Sequence, residues 1–373
     1  MRTRNNVRIA QIAPLTESIP PRLHGGKARA ISYLTEELCD LGHQVTLFAS
    51  GDSLTRAKLH AGSSVALGPV LAGAREVEVA EAHREMLHAL YAQRERFDVI
   101  HFHLDDWHLL YPPLLETCHL TSVHAPLHGS DVALRTRLNH RGLRLMSVSE
   151  HQREALPRAH WLGSVHHGLP DGFCRPCFEP GRYLVFVGRV GPERGVEQAV
   201  TIARAFGLPL KIAGRVERAD HAFFRALQAS FRANGVEYLG ELDELRKDEL
   251  LAGAYALLQP GQIPESFALP VIEAMQCGTP VVGLRSSGVA ELIEEAVTGF
   301  VVNDVSAATA ALHRVPQLDR NYVACSARHR FSARRMARDY LRWYARSIAR
   351  EPSVSSSIAH ETNDGHAFAE PGE

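Results

Sequence analysis

The chain has 373 residues, 45% hydrophobic and 22% charged, with a formal net charge of −1. That length is ample for two hydrophobic cores, and a near-neutral balance argues against a general nucleic-acid binder. No apolar run reaches the roughly 18 residues of a membrane-span candidate, and six scattered cysteines suit a reducing cytoplasm better than a disulfide framework.

The N-terminal MRTRNNVRIAQIAPL has a basic start but only a short apolar stretch. It reads as a first strand and not as a secretory signal. The strand VRIAQIAPL is continuously apolar, as in a parallel sheet buried on both faces. GGKARAISYLTEELCDLGH has helical period, with Ile31, Leu34, Leu38 and Leu41 on one face and Gly42 ending it. QVTLFAS is the next strand, AEAHREMLHALYAQRERF a helix and DVIHFHL a strand. TSVHAPL, RLMSVSE and SVHHGLP read as three further short strands.

A Pro- and Gly-rich stretch, LPDGFCRPCFEPGR, interrupts the pattern and reads as a linker. The alternation restarts with YLVFVG (strand), GVEQAVTIARAFG (helix), LKIAG (strand), a helix over about 220–233, and VEYLG (strand). ELDELRKDELLAGA is a helix, ALLQPG a strand, then come a further helix, the strand PVVGL and the short strand GFVV. The expected organisation is two doubly wound α/β domains, 1–172 and 182–332, joined by a linker at 173–181. A basic amphipathic helix at 333–350 and a polar, aperiodic tail at 351–373, expected to be disordered, complete the chain. Ligands of such sheets lie at the carboxyl ends of the strands, so a cleft between the domains is the expected site.

Three segments carry chemistry. In GRVGPERGVEQAV, Gly188 and Arg189 stand at a strand end, and Arg194 and Gly195 open the next helix. Two guanidinium groups beside a helix N-terminus suit a diphosphate. Surface arginines are the plainer alternative, and the strand-end position favours the ligand. Gly25 and Gly26 let backbone N–H groups come close to an anion or a sugar. They do not form the G-x-G-x-x-G turn, which counts against a nicotinamide enzyme. In PESFALPVIEAM, Glu265 lies in a loop and Glu273 in the helix that follows. The N–H groups near Phe267, Ala268 and Leu269 are free at that helix start. A carboxylate there can take two hydrogen bonds from a cis-diol; the plainer reading is an acidic helix start that complements the macrodipole.

Other groups weigh less. HFHLDDWH places His101 and His103 on one strand face with Asp105 following. A polar strand end lining the cleft is preferred there to a metal site. CRPC, with Cys174 and Cys177, lacks a second Cys/His pair and reads as incidental. Met336, Tyr340, Leu341, Tyr344 and Ile348 form the apolar stripe of the basic helix, which can pack on the protein or lie on an anionic membrane.

PESFALPVIEAMQCGTPVV resembles the E-x7-E signature of the retaining glycosyltransferases of the GT-B fold, family 4. GRVGPERG resembles that family's phosphate-binding turn. The Gly25–Gly26 pair, LGHQVTLFAS, SVHHGLP and SGVAELIEEAVTGFVV match in order, over about residues 7–345. The resemblance implies two Rossmann-like domains facing a central cleft: an acceptor-side domain first, a nucleotide-sugar domain second, and a last helix crossing back to the first. It implies that Glu273 binds the donor ribose, that Glu265 lies next to the transferred sugar, and that Arg189 and Arg194 bind the diphosphate. Gly25 and Gly26 would line the cleft, and His124 of SVHAP would contact the donor sugar. Neither cofactor nor metal is implied. The donor is a nucleotide diphosphate sugar, and the acceptor a carbohydrate, lipid-linked or small molecule. Three positions depart from the family pattern: Arg194 stands for a lysine, Ala268 for a glycine and Ser266 for a proline.

The expected activity is therefore transfer of a sugar with retention to an acceptor hydroxyl, without a metal. A catalytically weak nucleotide-sugar-binding subunit and a sugar-nucleotide epimerase are the alternatives. The expected location is the cytoplasm, with the inner face of the membrane as a second reading of the basic helix. Oligomeric state, donor base and linkage are left open.

Overall fold

The computed structural model describes residues 6–22, 25–68, 74–127, 132–140, 142–231 and 235–350; the expected tail at 351–373 lies outside them. Strands β1 (Arg8–Ile12), β2 (Gln44–Ser50), β3 (Lys58–Ser63), β4 (Val99–Phe102), β5 (His119–Val123), β6 (Leu145–Ser147) and β7 (Trp161–Ser164) form one parallel sheet in the order β3-β2-β1-β4-β5-β6-β7. A second parallel sheet has the order β10-β9-β8-β11-β12-β13. Its strands are β8 (Leu184–Val187), β9 (Leu210–Ala213), β10 (Val236–Gly240), β11 (Ala256–Gln259), β12 (Val281–Leu284) and β13 (Gly299–Val302). The helices of eight residues or more that matter below are α1 (Gly26–Asp40), α2 (Ala74–Ala92), α3 (Val196–Phe206), α4 (Glu244–Ala252), α5 (Leu269–Gln276), α6 (Val305–Leu312), α7 (Arg320–Arg330) and α8 (Ala333–Arg350).

Apolar runs such as RIAQI and LVFV are covered on both faces because successive side chains of a strand point to opposite sides. In β1, Ile9 packs with Ile31, Leu34 and Leu38 of α1, while Ala10 and Ile12 pack with Met86, Leu87 and Leu90 of α2. In β8, Val185 faces Val271, Ile272 and Met275 of α5, and Leu184 and Phe186 face Val196 and Ala199 of α3. Each sheet reverses its strand order once, between β1 and β4 and between β8 and β11. At those points the connections diverge and leave a crevice at the carboxyl ends, which is where the loops of the site begin.

One local expectation is corrected and one unforeseen strand is added. SVHHGLP is not a strand. The strand is β7, upstream, and His166, His167 and Gly168 follow it in irregular backbone that reaches one bridge, Leu169 with Ser332. Strand β3 has no apolar run; its sequence, KLHAGS, is half exposed at the sheet edge, so neither period signal marks it.

Helix α8 follows the second sheet in sequence yet packs on the first. Met336, Ala337, Tyr340 and Tyr344 belong to the core built on Ile9, Ile31 and Leu120. The apolar stripe is therefore its buried face, with Leu341 and Ile348 at the edge of that core. Arg334, Arg338 and Arg342 face outward, so the helix has no free apolar face to lay into lipid. Among the described residues no helix is long and apolar enough to cross a membrane. All six cysteines are free thiols.

The packing of α8 gives a direct expectation. Met336 is 1% exposed, so Met336→Ala should lower stability by roughly 2–5 kcal/mol, the usual range for emptying a filled core position. Urea unfolding followed by circular dichroism measures it. A loss within about 0.5 kcal/mol, typical of a surface change, would show that the helix is only loosely docked.

Candidate active site

The loops leaving β1, β8, β9 and β10, with the first turns of α1 and α5, enclose a cavity of about 380 Å³. One wall comes from the first sheet's side: Glu17, Gly25, Gly26, Lys27 and Arg29. The facing wall is built from Gly188 and Arg189 after β8, Gly214 and Arg215 after β9, and Leu269, Pro270 and Glu273 of α5. Two glycines permit this approach. Gly25 has φ 139°, and a Cβ there would stand 2.9 Å from a Glu17 carboxylate oxygen. A Cβ on Gly26 would stand 3.1 Å from Leu269 Cδ1, across the cleft. Both positions favour glycine for steric reasons, one by dihedral and one by space.

Glu273 is the buried acid of the site. Its side chain is 3% exposed and its Oε1 accepts from Lys247 Nζ at 2.6 Å. Arg29 Nη1, from α1, stands 4.0 Å from the same oxygen, and Arg29 Nε is 3.0 Å from Glu244 Oε1. Tyr33, also on α1, donates to Glu244 Oε1 at 3.1 Å. A carboxylate so deeply placed needs such partners, because losing one strands an uncompensated charge. The cavity wall carries Lys27, Arg29, Arg189, Arg215 and Lys247 against Glu17, Glu241 and Glu273, an excess of positive charge suited to an anion.

Arg189 is held in place by acids. Nη1 donates to Asp220 Oδ2 at 2.6 Å, Glu217 lies 3.7 Å away, and Glu193 is a further ion-pair partner. Planar guanidinium groups offer five N–H donors, so such anchoring orients the group without exhausting it.

The other expected residues gather beside the cavity and do not line it. Arg194 Nη1 is 2.6 Å from Glu265 Oε1, which also accepts from Gln259 Nε2 at 2.9 Å. Ser266 Oγ donates to the His124 carbonyl at 2.7 Å and so ties the α5 loop to the first sheet. Phe267 packs against the rings of His166 and His167 at 5.8 and 4.9 Å. Ala268 is buried with φ −88° and caps α5. Its methyl group requires no left-handed backbone.

His101, His103 and Asp105, considered above as a metal group, have protein partners. His101 pairs with Tyr344 Oη and Ser122 Oγ, at 2.7 and 2.8 Å, and His103 with His124 and Gln11. Asp105, at φ 53°, takes Lys27 Nζ on one oxygen and the backbone N–H groups of His124 and Ala125 on the other. Among the described residues no group of three or more His, Cys, Asp or Glu is arranged to hold a metal.

Sequence reasoning missed Lys247, Lys27 and Arg29. For Lys247 a signal existed: it lies three, four and seven residues before Leu250, Leu251 and Ala254, all buried. That spacing places it on the apolar stripe of α4, where an unpartnered lysine is not tolerated. Arg29 and Lys27 carry no comparable pattern, since their partners come from distant segments.

Residues 24–164 match the family model described as Glycosyltransferase Family 4, and residues 176–334 match that described as Glycosyl transferases group 1. Glycogen synthase of Mycobacterium tuberculosis (strain ATCC 25618 / H37Rv) is 25% identical over 379 residues, covering 86% of this chain and 89% of its own. Sucrose-phosphate synthase from Thermosynechococcus elongatus superimposes with a TM-score of 0.74 at 18% identity, over 92% of this chain and all of its own (100%). The Anabaena protein HepE, solved with UDP and glucose, gives 0.70 at 13% identity, over 91% and 100%. These two structural likenesses show a shared fold.

The buried histidines predict how the protein responds to acid. His83, His101, His103, His108, His119 and His167 are all buried. Burial holds His103, His108 and His167 down to about 3 and His83 and His119 down to about 4, with His101 well below its usual value. Histidines of the unfolded chain titrate near 6.5. Between those limits the unfolded state binds more protons, so stability falls as pH drops below about 6.5. Asp248, whose carboxyl burial raises to about 7, has the opposite sign and offsets about one such contribution. Urea unfolding between about pH 7 and 5 should show a steep loss, up to about 1.4 kcal/mol per pH unit for each ring. Equal stability at the two ends would mean that the rings accept protons without unfolding.

Proposed function

Since the chain belongs to the glycosyltransferases of group 1 and family 4, with the GT-B fold, we propose that it moves a sugar from a nucleotide diphosphate sugar to an acceptor hydroxyl, with retention and without a metal. The observation that carries this reading is one cavity with Glu273 and Arg189 on one wall and Gly25 and Gly26 on the other. Glu273 supplies acceptor oxygens for the two hydroxyls of a ribose. Lys247 aims that carboxylate by its hydrogen bond to Oε1. Arg189 and the glycine N–H groups suit the diphosphate.

The chemistry needs little beyond positioning and charge. The bond from the anomeric carbon to the phosphate oxygen breaks, and the acceptor oxygen forms its new bond on the same face. Its proton passes to the departing phosphate. Negative charge grows on that phosphate, and cations already fixed in place stabilise it without reorganising. Arg194 is placed for this only if it exchanges Glu265, 2.6 Å away, for the diphosphate. That ion pair is also the observation favouring the second reading, a nucleotide-sugar-binding subunit with weak chemistry.

A thermal-shift screen with UDP-, GDP- and ADP-sugars tests the reading, since a ligand at a hundred times its Kd stabilises by about 2.7 kcal/mol. Transfer is then followed by proton NMR of the product anomer in EDTA. An anomer of inverted configuration, or activity lost to EDTA and restored by a divalent ion, would refute retention or metal independence respectively.

Arg194 separates the two readings. Arg194→Lys should keep measurable transfer because the charge is retained. Arg194→Ala should lose about 10- to 1,000-fold, chiefly in kcat, since the charge it meets develops in the transition state. Steady-state kinetics of the three forms decides. Equal rates for alanine and arginine would make the residue surface decoration and favour the binding-subunit reading.

A further inference from the structure

Three of the six cysteines meet where the linker passes the end of α5. Cys174 and Cys177 come from the CRPC segment, and neither lines the cavity. Cys277 directly follows α5 and is fully buried. The backbone N–H of Cys177 donates to the Cys277 carbonyl at 3.0 Å, and the Cys177 carbonyl accepts from Arg320 Nε at 3.0 Å. A Cβ on Gly278, at φ 81°, would stand 3.2 Å from that same Cys177 oxygen. The linker is therefore pressed against residues 277 and 278 with no side chain of Gly278 between. Within this contact Cys174 packs at the edge of the core that contains Cys277, and the two thiols are hydrogen-bonded to each other. The Cys177 sulfur turns elsewhere, toward the Glu179 carbonyl.

The pair borders the supports of Glu273. The Cys277 N–H donates to the Glu273 carbonyl at 3.1 Å, one helical turn back. The Cys277 sulfur lies 4.0 Å from the carbonyl of Asp248, the neighbour of Lys247. Phe173, the neighbour of Cys174, has its ring centroid 5.6 Å from Lys247 Nζ, the ammonium that holds Glu273 Oε1 at 2.6 Å. A displacement of either thiol is thus passed on to one member of that ion pair. Accessibility orders the chemistry. The hydrogen bond to Cys174, with burial, pushes the Cys277 thiol well above its usual range. Cys174 is only half-buried, so the first encounter with an outside reagent falls to it.

We propose that Cys174 and Cys277 are a modification site, oxidised by a low-molecular-weight disulfide to a reversible cross-link that ties the linker to the end of α5 and weakens nucleotide binding. The Cys174 thiolate attacks one sulfur of the reagent; its S–S bond breaks, and one small thiol leaves with a proton. Cys277 then gives up its proton and attacks the Cys174 sulfur of the mixed disulfide, and the second small thiol departs with that proton. Two protein thiols are oxidised and one small disulfide is reduced. The new bond is about 2.0 Å long, far shorter than a hydrogen bond between thiols, so the linker is drawn onto α5. Phe173 moves with it against Lys247, and the aim of Glu273 is disturbed. This last step rests on the reading of the cleft as a nucleotide-sugar site.

The full-length protein is equilibrated with glutathione disulfide, its remaining thiols are blocked with iodoacetamide, and its peptides are mapped by mass spectrometry without reduction. The expected result is a link between Cys174 and Cys277 that dithiothreitol reverses, kept in Cys177→Ser and lost in Cys174→Ser. A link between Cys174 and Cys177, or no internal link, overturns the proposal. The functional arm measures binding of UDP, GDP and ADP to the reduced and the oxidised protein by calorimetry. For the diphosphate that binds, oxidation should lower affinity about tenfold, the scale of one hydrogen bond to a charged group. Dithiothreitol should restore it, and Cys174→Ser treated with the oxidant should bind as the reduced parent does. Recovery in the parent decides alone if that variant does not fold. Equal affinity of the oxidised and reduced parent overturns the control of the site. If the reduced parent binds none of the three, the nucleotide-sugar reading fails and takes the control of binding with it, while the mapped link still stands or falls by itself.

Discussion

A carboxylate removed from water must be given cations, and Glu273 receives them from both halves of the molecule. Lys247 reaches it from α4 of the second half and Arg29 approaches from α1 of the first. The rest of the site follows from this requirement. Helix α1 must come close enough for Arg29, which is why Gly26 meets Leu269 with no side chain between them. Tyr33, one helical turn beyond Arg29, is carried to Glu244 by the same approach. The cleft is thus narrow at its charged end for an electrostatic reason.

Much of this was legible from the order of residues, for identifiable reasons. Apolar runs such as RIAQI and LVFV announce strands buried on both faces, and the glycine after α1 and the linker prolines punctuate them. Strand β3 escaped because an edge strand needs little apolar cover. The site divides in the same way. Glu273, Arg189, Gly25 and Gly26 stand at strand ends or helix starts, which the alternation locates, and the structure brings them to one cavity. Arg194, Glu265 and His124 are beside it, because Glu265 and Arg194 neutralise each other and His124 turns its ring toward His103. Arg29 and Gln11 could not be read locally. Glu244, Glu273 and Tyr344, among their partners, are more than 200 residues away in sequence.

The three departures from the family pattern have different physical standing. Ala268 sits at φ −88°, where a Cβ carries no penalty. Ser266 does something a proline could not: its hydroxyl donates to the His124 carbonyl across the two halves. Arg194 keeps the charge of a lysine but holds it on a planar fork, and that geometry matches the carboxylate of Glu265.

Helix α8 also bears on how the chain can be made. The first sheet emerges early in synthesis, yet part of its core is Met336, Ala337, Tyr340 and Tyr344. Until those residues leave the ribosome, the face of β1 and α1 that they cover stays open to water and to other chains. The second sheet, complete by Val302, takes its own later cover from residues that end at Phe331, before that helix begins. The half translated first is therefore the half that closes last, and it is during that interval that a chaperone has something apolar to hold.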